Sequence, residues 1–126
     1  VHRSKLAGFI IDCRTQDLAG AARFWGAALG MPVAPLPGEE GKTYARLTDP
    51  AERLHVEVQI VEHDSRVHLD IEADDIEAEV RRLEALGATR VRQVQTWWVL
   101  QAPTGQRFCV VRAQSPDFAA TATRWP

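Results

Sequence analysis

Two stretches of this chain share one frame. Asp17-Leu18 opens an apolar-periodic run through Leu18, Ala22, Trp25 and Leu29 that closes on Gly30. Asp75-Ile76 opens another through Ile76, Val80, Leu83 and Leu86 that closes on Gly87. The Asp-to-Gly separations are 13 and 12 residues. Apolar residues at this spacing fall on one face of a helix, a preceding Asp can accept from the free N–H groups of the first turn, and a following Gly supplies the left-handed residue that ends it. Each helix also has the same company. Ala7–Cys13 precedes the first, and Tyr44–Leu47 and Leu54–Val61 follow it, with Asp49-Pro50 turning between them. The alternating stretch Val67–Glu72 precedes the second. Trp97–Leu100 and Phe108–Val111 follow it, joined by Ala102-Pro103-Thr104-Gly105. An internal repeat fixes architecture before any single motif does. This one predicts an α+β fold of two βαβββ modules, each of roughly 60 residues.

At 126 residues the chain has room for one domain, with modules near 7–62 and 66–112 and a tail over 113–126. Hydrophobic residues make up 45%, enough for a packed core. A net charge of −2 with both signs interspersed gives no basic face for nucleic acid. No apolar run approaches the ~20 residues of a membrane span, and no signal-peptide pattern opens the sequence. Cys13 and Cys109 fall in expected strands and read as reduced core residues, which fits a cytoplasmic protein. Residues 1–6 are polar and expected to be loose. The tail carries Phe118 and Trp125 and is expected to dock, on its own domain or on a partner subunit. Three prolines in Met31–Gly38 rule out a central strand throughout that segment.

Two strands are two-faced. Leu54, Val56 and Val58 alternate with His55, Glu57 and Gln59, and Val67, Leu69 and Ile71 alternate with His68, Asp70 and Glu72. The apolar faces are expected to carry the helices and to be buried. The polar faces either meet water, as in an ordinary antiparallel sheet, or line a wet cavity. Asp70 shares a face with His68, where a carboxylate can orient the ring. Trp97 and Trp98 point to opposite faces, one to pack under the second helix and the other to stack on a flat ligand. Asp12 reads as a cap that ends the first strand, and His2, His55 and His63 read as surface residues. No nucleophile elbow or phosphate-binding glycine loop is present.

Several of these stretches resemble the vicinal oxygen chelate superfamily, which includes glyoxalase I, extradiol dioxygenases and bleomycin-resistance proteins. The resemblance rests on Asp17-Leu18, Phe24-Trp25, Leu29-Gly30-Met31, Ala85-Leu86-Gly87-Ala88-Thr89 and Pro103-Thr104-Gly105-Gln106-Arg107-Phe108-Cys109-Val110-Val111. It covers about residues 7–112 and is nearest to the superfamily's small glyoxalase-like members. It implies curled mixed sheets around a central cavity, the glyoxalase/bleomycin resistance/dihydroxybiphenyl dioxygenase-like fold, with the polar strand faces turned to that cavity. It also implies a homodimer. Metal-dependent members carry ligands on the first and last strand of each module. Here those positions fall on Gly8, which has no side chain, on Glu57 or Gln59, on His68, and on Cys109 where a Glu is usual.

The resulting expectation is a small-molecule-binding protein of the glyoxalase/bleomycin-resistance type, a lyase or isomerase without a complete metal site. His68 and Glu57 are its candidate catalytic residues, and Gln59, Asp70, Trp98 and Cys109 its ligand contacts. No cofactor is expected. One alternative is a divalent-metal lyase resembling glyoxalase I, with His68, Glu57 and Gln59 as ligands, or Cys109 as a thiolate ligand. The other is a non-catalytic dimerising or sequestering module.

Overall fold

The computed structural model describes every residue from Val1 to Pro126. Two compact units divide it: Gly8–Val67, and Val1–Ala7 together with His68–Pro126. The first strand, β1 (His2–Arg14), contributes to both.

In the unit Gly8–Val67, the later part of β1 is followed by α1 (Leu18–Leu29), β2 (Val33–Pro35), a 3₁₀ turn (Glu39–Lys42), β3 (Tyr44–Thr48) and β4 (His55–Val61). The strands lie in the order β2-β3-β4-β1, antiparallel except for the parallel pair β4–β1. The repeat frame sets the helix ends. The Asp17 carboxylate accepts from the Gly20 N–H at 2.9 Å, and Gly30 closes the helix at φ +67°. The proline-rich segment yields only the short strand β2, at the end of the strand order. Ile11, Leu47, Val56 and Val58 form the core, with Leu18, Ala21 and Trp25 of α1 packed against them.

In the other unit, β5 (Arg66–Ala73) leads to α2 (Ile76–Ala85), β6 (Thr89–Val94), β7 (Trp97–Gln101), β8 (Arg107–Arg112), α3 (Phe118–Thr121) and β9 (Thr123–Trp125). The order β5-β8-β7-β6 repeats the plan, with a parallel pair β5–β8 and antiparallel partners beyond it. Asp75 caps α2 through the Ala78 N–H at 3.0 Å, as Asp17 caps α1. The core is Ala73, Val80, Leu83, Ala88, Leu100 and Val110. The chain is therefore of the expected α+β class, with mixed strand pairing and few helices.

Three expectations need correction. Val67 and Leu69 are exposed, at 57% and 51%, whereas Asp70 and Glu72 are buried. Helix α2 packs on β6, β7 and β8, so only Ile71 and Ala73 at the end of β5 reach its core. Residues 1–6 are not loose either: His2–Ser4 pair with β9, and His2 and Ser4 are buried. The third concerns His2, which is not a surface residue. It bonds to Glu79 at 2.8 Å, and Glu79 has no contact with solvent. Arg82 donates twice to the same carboxylate at 2.8 Å and lies 3.8 Å over the Trp125 ring, whose N–H donates to Ser4. Burial acts to raise the Glu79 carboxyl, but the bonds from Arg82, His2 and Ser4 outweigh it and hold the group below the usual carboxylate range. The tail thus docks on its own chain, with Trp125 held by Arg82 and Ser4, and Glu72 fixes it further by accepting from the Ser115 N–H and hydroxyl.

These burials rank two leucines that look alike in sequence. Leu47→Ala, at a fully buried position, is expected to cost about 2–5 kcal/mol. Leu69→Ala is expected to cost less than about 1 kcal/mol. Urea denaturation midpoints of the two variants measure the difference, and equal losses would contradict the assignment of faces.

Candidate functional site

Strand pleating and register assemble one polar cluster on β5 and β8. Asp70 stands opposite Cys109 across the parallel pair, so both side chains leave the same face. His68, two residues before Asp70, shares that face, with its Nε2 3.5 Å from Asp70 Oδ1. One donor atom from each of His68, Asp70 and Cys109 lies within 4.8 Å of the others. Asp70 is buried, while His68 and Cys109 are half-buried. Both cysteines carry free thiols. Trp98 does not join the group. It lies on the opposite face, against the apolar core, with the Arg90 guanidinium 4.9 Å over its ring. The tryptophan on the Cys109 side is Trp97, because its neighbour two residues on, Val99, is the register partner of Cys109.

The unit Gly8–Val67 carries a second cluster on β4. His55 Nε2 lies 2.9 Å from the buried Glu57 carboxylate, and Gln59 donates to the Tyr44 hydroxyl at 2.8 Å. His55 is half-buried, not a surface residue as expected. Asp12 stands beside Gln59 in the β1–β4 register and is 2% exposed, with Arg66 3.9 Å away. It is therefore an interior residue of β1 and not a terminating cap. The polar faces of β4 and β5 are largely withdrawn from solvent, which decides against the simple water-facing alternative.

Each unit thus holds a histidine and a carboxylate two residues apart on a strand: His55 with Glu57, and His68 with Asp70. Sequence alternation puts each pair on one strand face, but on sequence alone His55 reads as a surface residue. Tyr44 carried no pattern that marked it as the partner of Gln59.

A family model described as a glyoxalase-like domain matches residues 8–111. The chain belongs to that family. Solved structures share the glyoxalase fold. Methylmalonyl-CoA epimerase from Mycobacterium tuberculosis is 18% identical with a TM-score of 0.58, over 92% of this chain and 91% of that one. A structure described as an NAD-dependent benzaldehyde dehydrogenase from Legionella pneumophila is 11% identical with a TM-score of 0.60, over 84% and 99%. A mutant of 4-hydroxymandelate synthase from Streptomyces coelicolor is 15% identical with a TM-score of 0.55, over 90% of this chain and 51% of that one. No curated protein matches the sequence.

The metal chemistry of the superfamily can be tested against this glyoxalase-like chain. An imidazole, a carboxylate and a thiol that deprotonates on binding form an acceptable donor set for a divalent ion such as zinc, with a position left for substrate. His68, Asp70 and Cys109 could hold such an ion, which would supply Lewis-acid polarisation of a bound oxygen. The first-strand position cannot take part. A Cβ built on Gly8 falls far inside contact distance of the His55 carbonyl, so the β4 backbone fills the space of any side chain. Glycine is a packing requirement of the β1–β4 pair here. Gly8→Ala is accordingly expected to destabilise the protein by at least about 2 kcal/mol. Thermal and urea unfolding of purified Gly8→Ala test this, and wild-type stability in that variant would show that the position can accept a side chain.

Proposed function

We propose that this glyoxalase-like protein binds a small organic molecule at His68, Asp70 and Cys109, and acts on it as a lyase or isomerase through proton transfer at His68. The observation that supports this reading is the convergence of those three groups within 4.8 Å on two strands from distant parts of the chain. An imidazole can accept and return a proton, and the Asp70 carboxylate, 3.5 Å from Nε2, is placed to orient the ring. Cys109 contributes a polarisable contact to the ligand. The unit Gly8–Val67 has its own candidate for proton handling in Glu57, with His55 as its partner and Gln59 as a polar neighbour on β4. A reducing cytoplasmic setting suits the free thiols. No helix is long and apolar enough to cross a membrane.

The same donor set favours a second reading, a divalent-metal lyase with His68, Asp70 and Cys109 in place of the His68, Glu57 and Gln59 set expected from sequence. Two measurements separate the readings. Elemental analysis of protein purified without chelator is expected to find metal well below one equivalent. Thermal-shift screening against 2-oxo acids, vicinal diketones and acyl-coenzyme A thioesters is expected to find a stabilising ligand, lost in His68→Ala, whose own melting temperature stays near that of wild type. Stoichiometric zinc, nickel or manganese would select the metal reading. A ligand response unchanged in His68→Ala would defeat the role given to His68 under both.

We further propose a homodimer, because Val67 and Leu69 leave apolar surface exposed on β5. Sedimentation velocity at micromolar concentration is expected to give a dimer, and a monomer there would refute it.

A further inference from the structure

The unit Gly8–Val67 contains a cavity of about 630 Å³ that includes none of the residues of either polar cluster except Tyr44. It lies between α1 and the segment running from β2 to the start of β3. Leu18, Ala22, Met31, Val33 and Pro35 form much of its wall. Its volume is in the range of small-molecule sites. Between Leu18 and Arg23, and beyond them, the α1 residues facing it are Ala19, Ala22, Gly26 and Ala27, which are small and leave the gap to β2 unfilled. The β2 strand is kept short by its prolines and cannot close over it.

The lining carries a single charge. Arg23 is exposed on α1, and its guanidinium makes no hydrogen bond or ion pair. No acidic residue lines the cavity. Lys42 lies near in sequence to Gly41 of the lining but is engaged by Glu39 at 2.8 Å. An open apolar groove with one uncommitted cation suits a ligand with an apolar body and one anionic end. The guanidinium offers a planar fork that a carboxylate can match with two hydrogen bonds. Tyr44 is not the anion's partner: its side chain is on the Gln59 face of β3 and bonds to Gln59.

We infer that this cavity is a binding site for a medium-chain aliphatic or aromatic monocarboxylate, with the apolar body against Leu18, Ala22 and Val33 and the carboxylate on Arg23. The site is separate from His68 and does not depend on the reaction assigned there.

Calorimetric titration with octanoate, and with 1-octanol as the uncharged control, tests the assignment. Wild-type protein is expected to bind octanoate more tightly than 1-octanol. Arg23→Gln is expected to weaken octanoate by about tenfold or more, in keeping with the loss of a charged hydrogen bond, and to leave 1-octanol unchanged. Ala19→Trp, at an exposed position on the cavity side of α1, is expected to abolish binding of both, and Ala27→Phe serves as an independent plug should the first variant fold poorly. His68→Ala is expected to bind octanoate as wild type does, which separates this site from the one on β5 and β8. The inference is overturned if wild-type protein binds neither compound, if Arg23→Gln loses nothing, or if His68→Ala abolishes octanoate binding. It is equally overturned if the plugs convert a dimer to a monomer, which would assign the cavity to a second copy of the chain.

Discussion

Alternation along a pleated strand decides where both the cores and the chemistry of this protein collect. On β4, Val56 and Val58 face α1 and are fully buried, so His55, Glu57 and Gln59 must leave the other face together. On β5 and β8 the parallel register adds a second constraint, setting Asp70 beside Cys109 and bringing His68 to the same side. A shift of one residue in either pairing would send these groups to the helix side and the apolar residues away from it. The functional candidates therefore have no independent scaffold: they are what remains when the apolar residues have been assigned to the cores.

The helices were the most legible part of the sequence. Asp17 and Asp75 cap them through the same i+3 bond, and the apolar spacing between cap and glycine is local information that the fold retains. The β5–β8 cluster was legible in part, because His68, Asp70 and Cys109 could be named from alternation and resemblance, but their convergence depends on a parallel register that no local pattern encodes. Val67 and Leu69 were misread for a related reason. Alternation tells which residues share a face, but not how far a ten-residue helix extends along it, and α2 covers only the end of β5. His2 shows the opposite failure: a polar residue near the start of the chain is buried because a carboxylate 77 positions away requires a partner. Trp98 reads as a ligand contact in sequence because two adjacent tryptophans give no basis for choosing between faces, and the register of Val99 with Cys109 supplies that basis.

Glu79 shows how a charge can organise its surroundings. A carboxylate without solvent contact is costly unless cations and donors enclose it. Here the enclosing groups come from β1, from α2 itself and, by way of the Arg82–Trp125 stack, from β9. The result is a polar junction among β1, α2 and β9, and it explains how a tail of mostly small residues acquires a fixed position.

The division of β1 has a consequence for the order in which the chain can assemble. A ribosome finishes the segment Gly8–Val67, with its α1 core and the β4 partner of β1, while residues 123–125 have still to be made. Until they emerge, His2–Ser4 lack their β9 partner, and Trp125 is not there to receive Arg82 or bond to Ser4. One strand is thus completed in two instalments, and until β9 emerges its first residues present an open edge of the kind that invites pairing with the wrong neighbour.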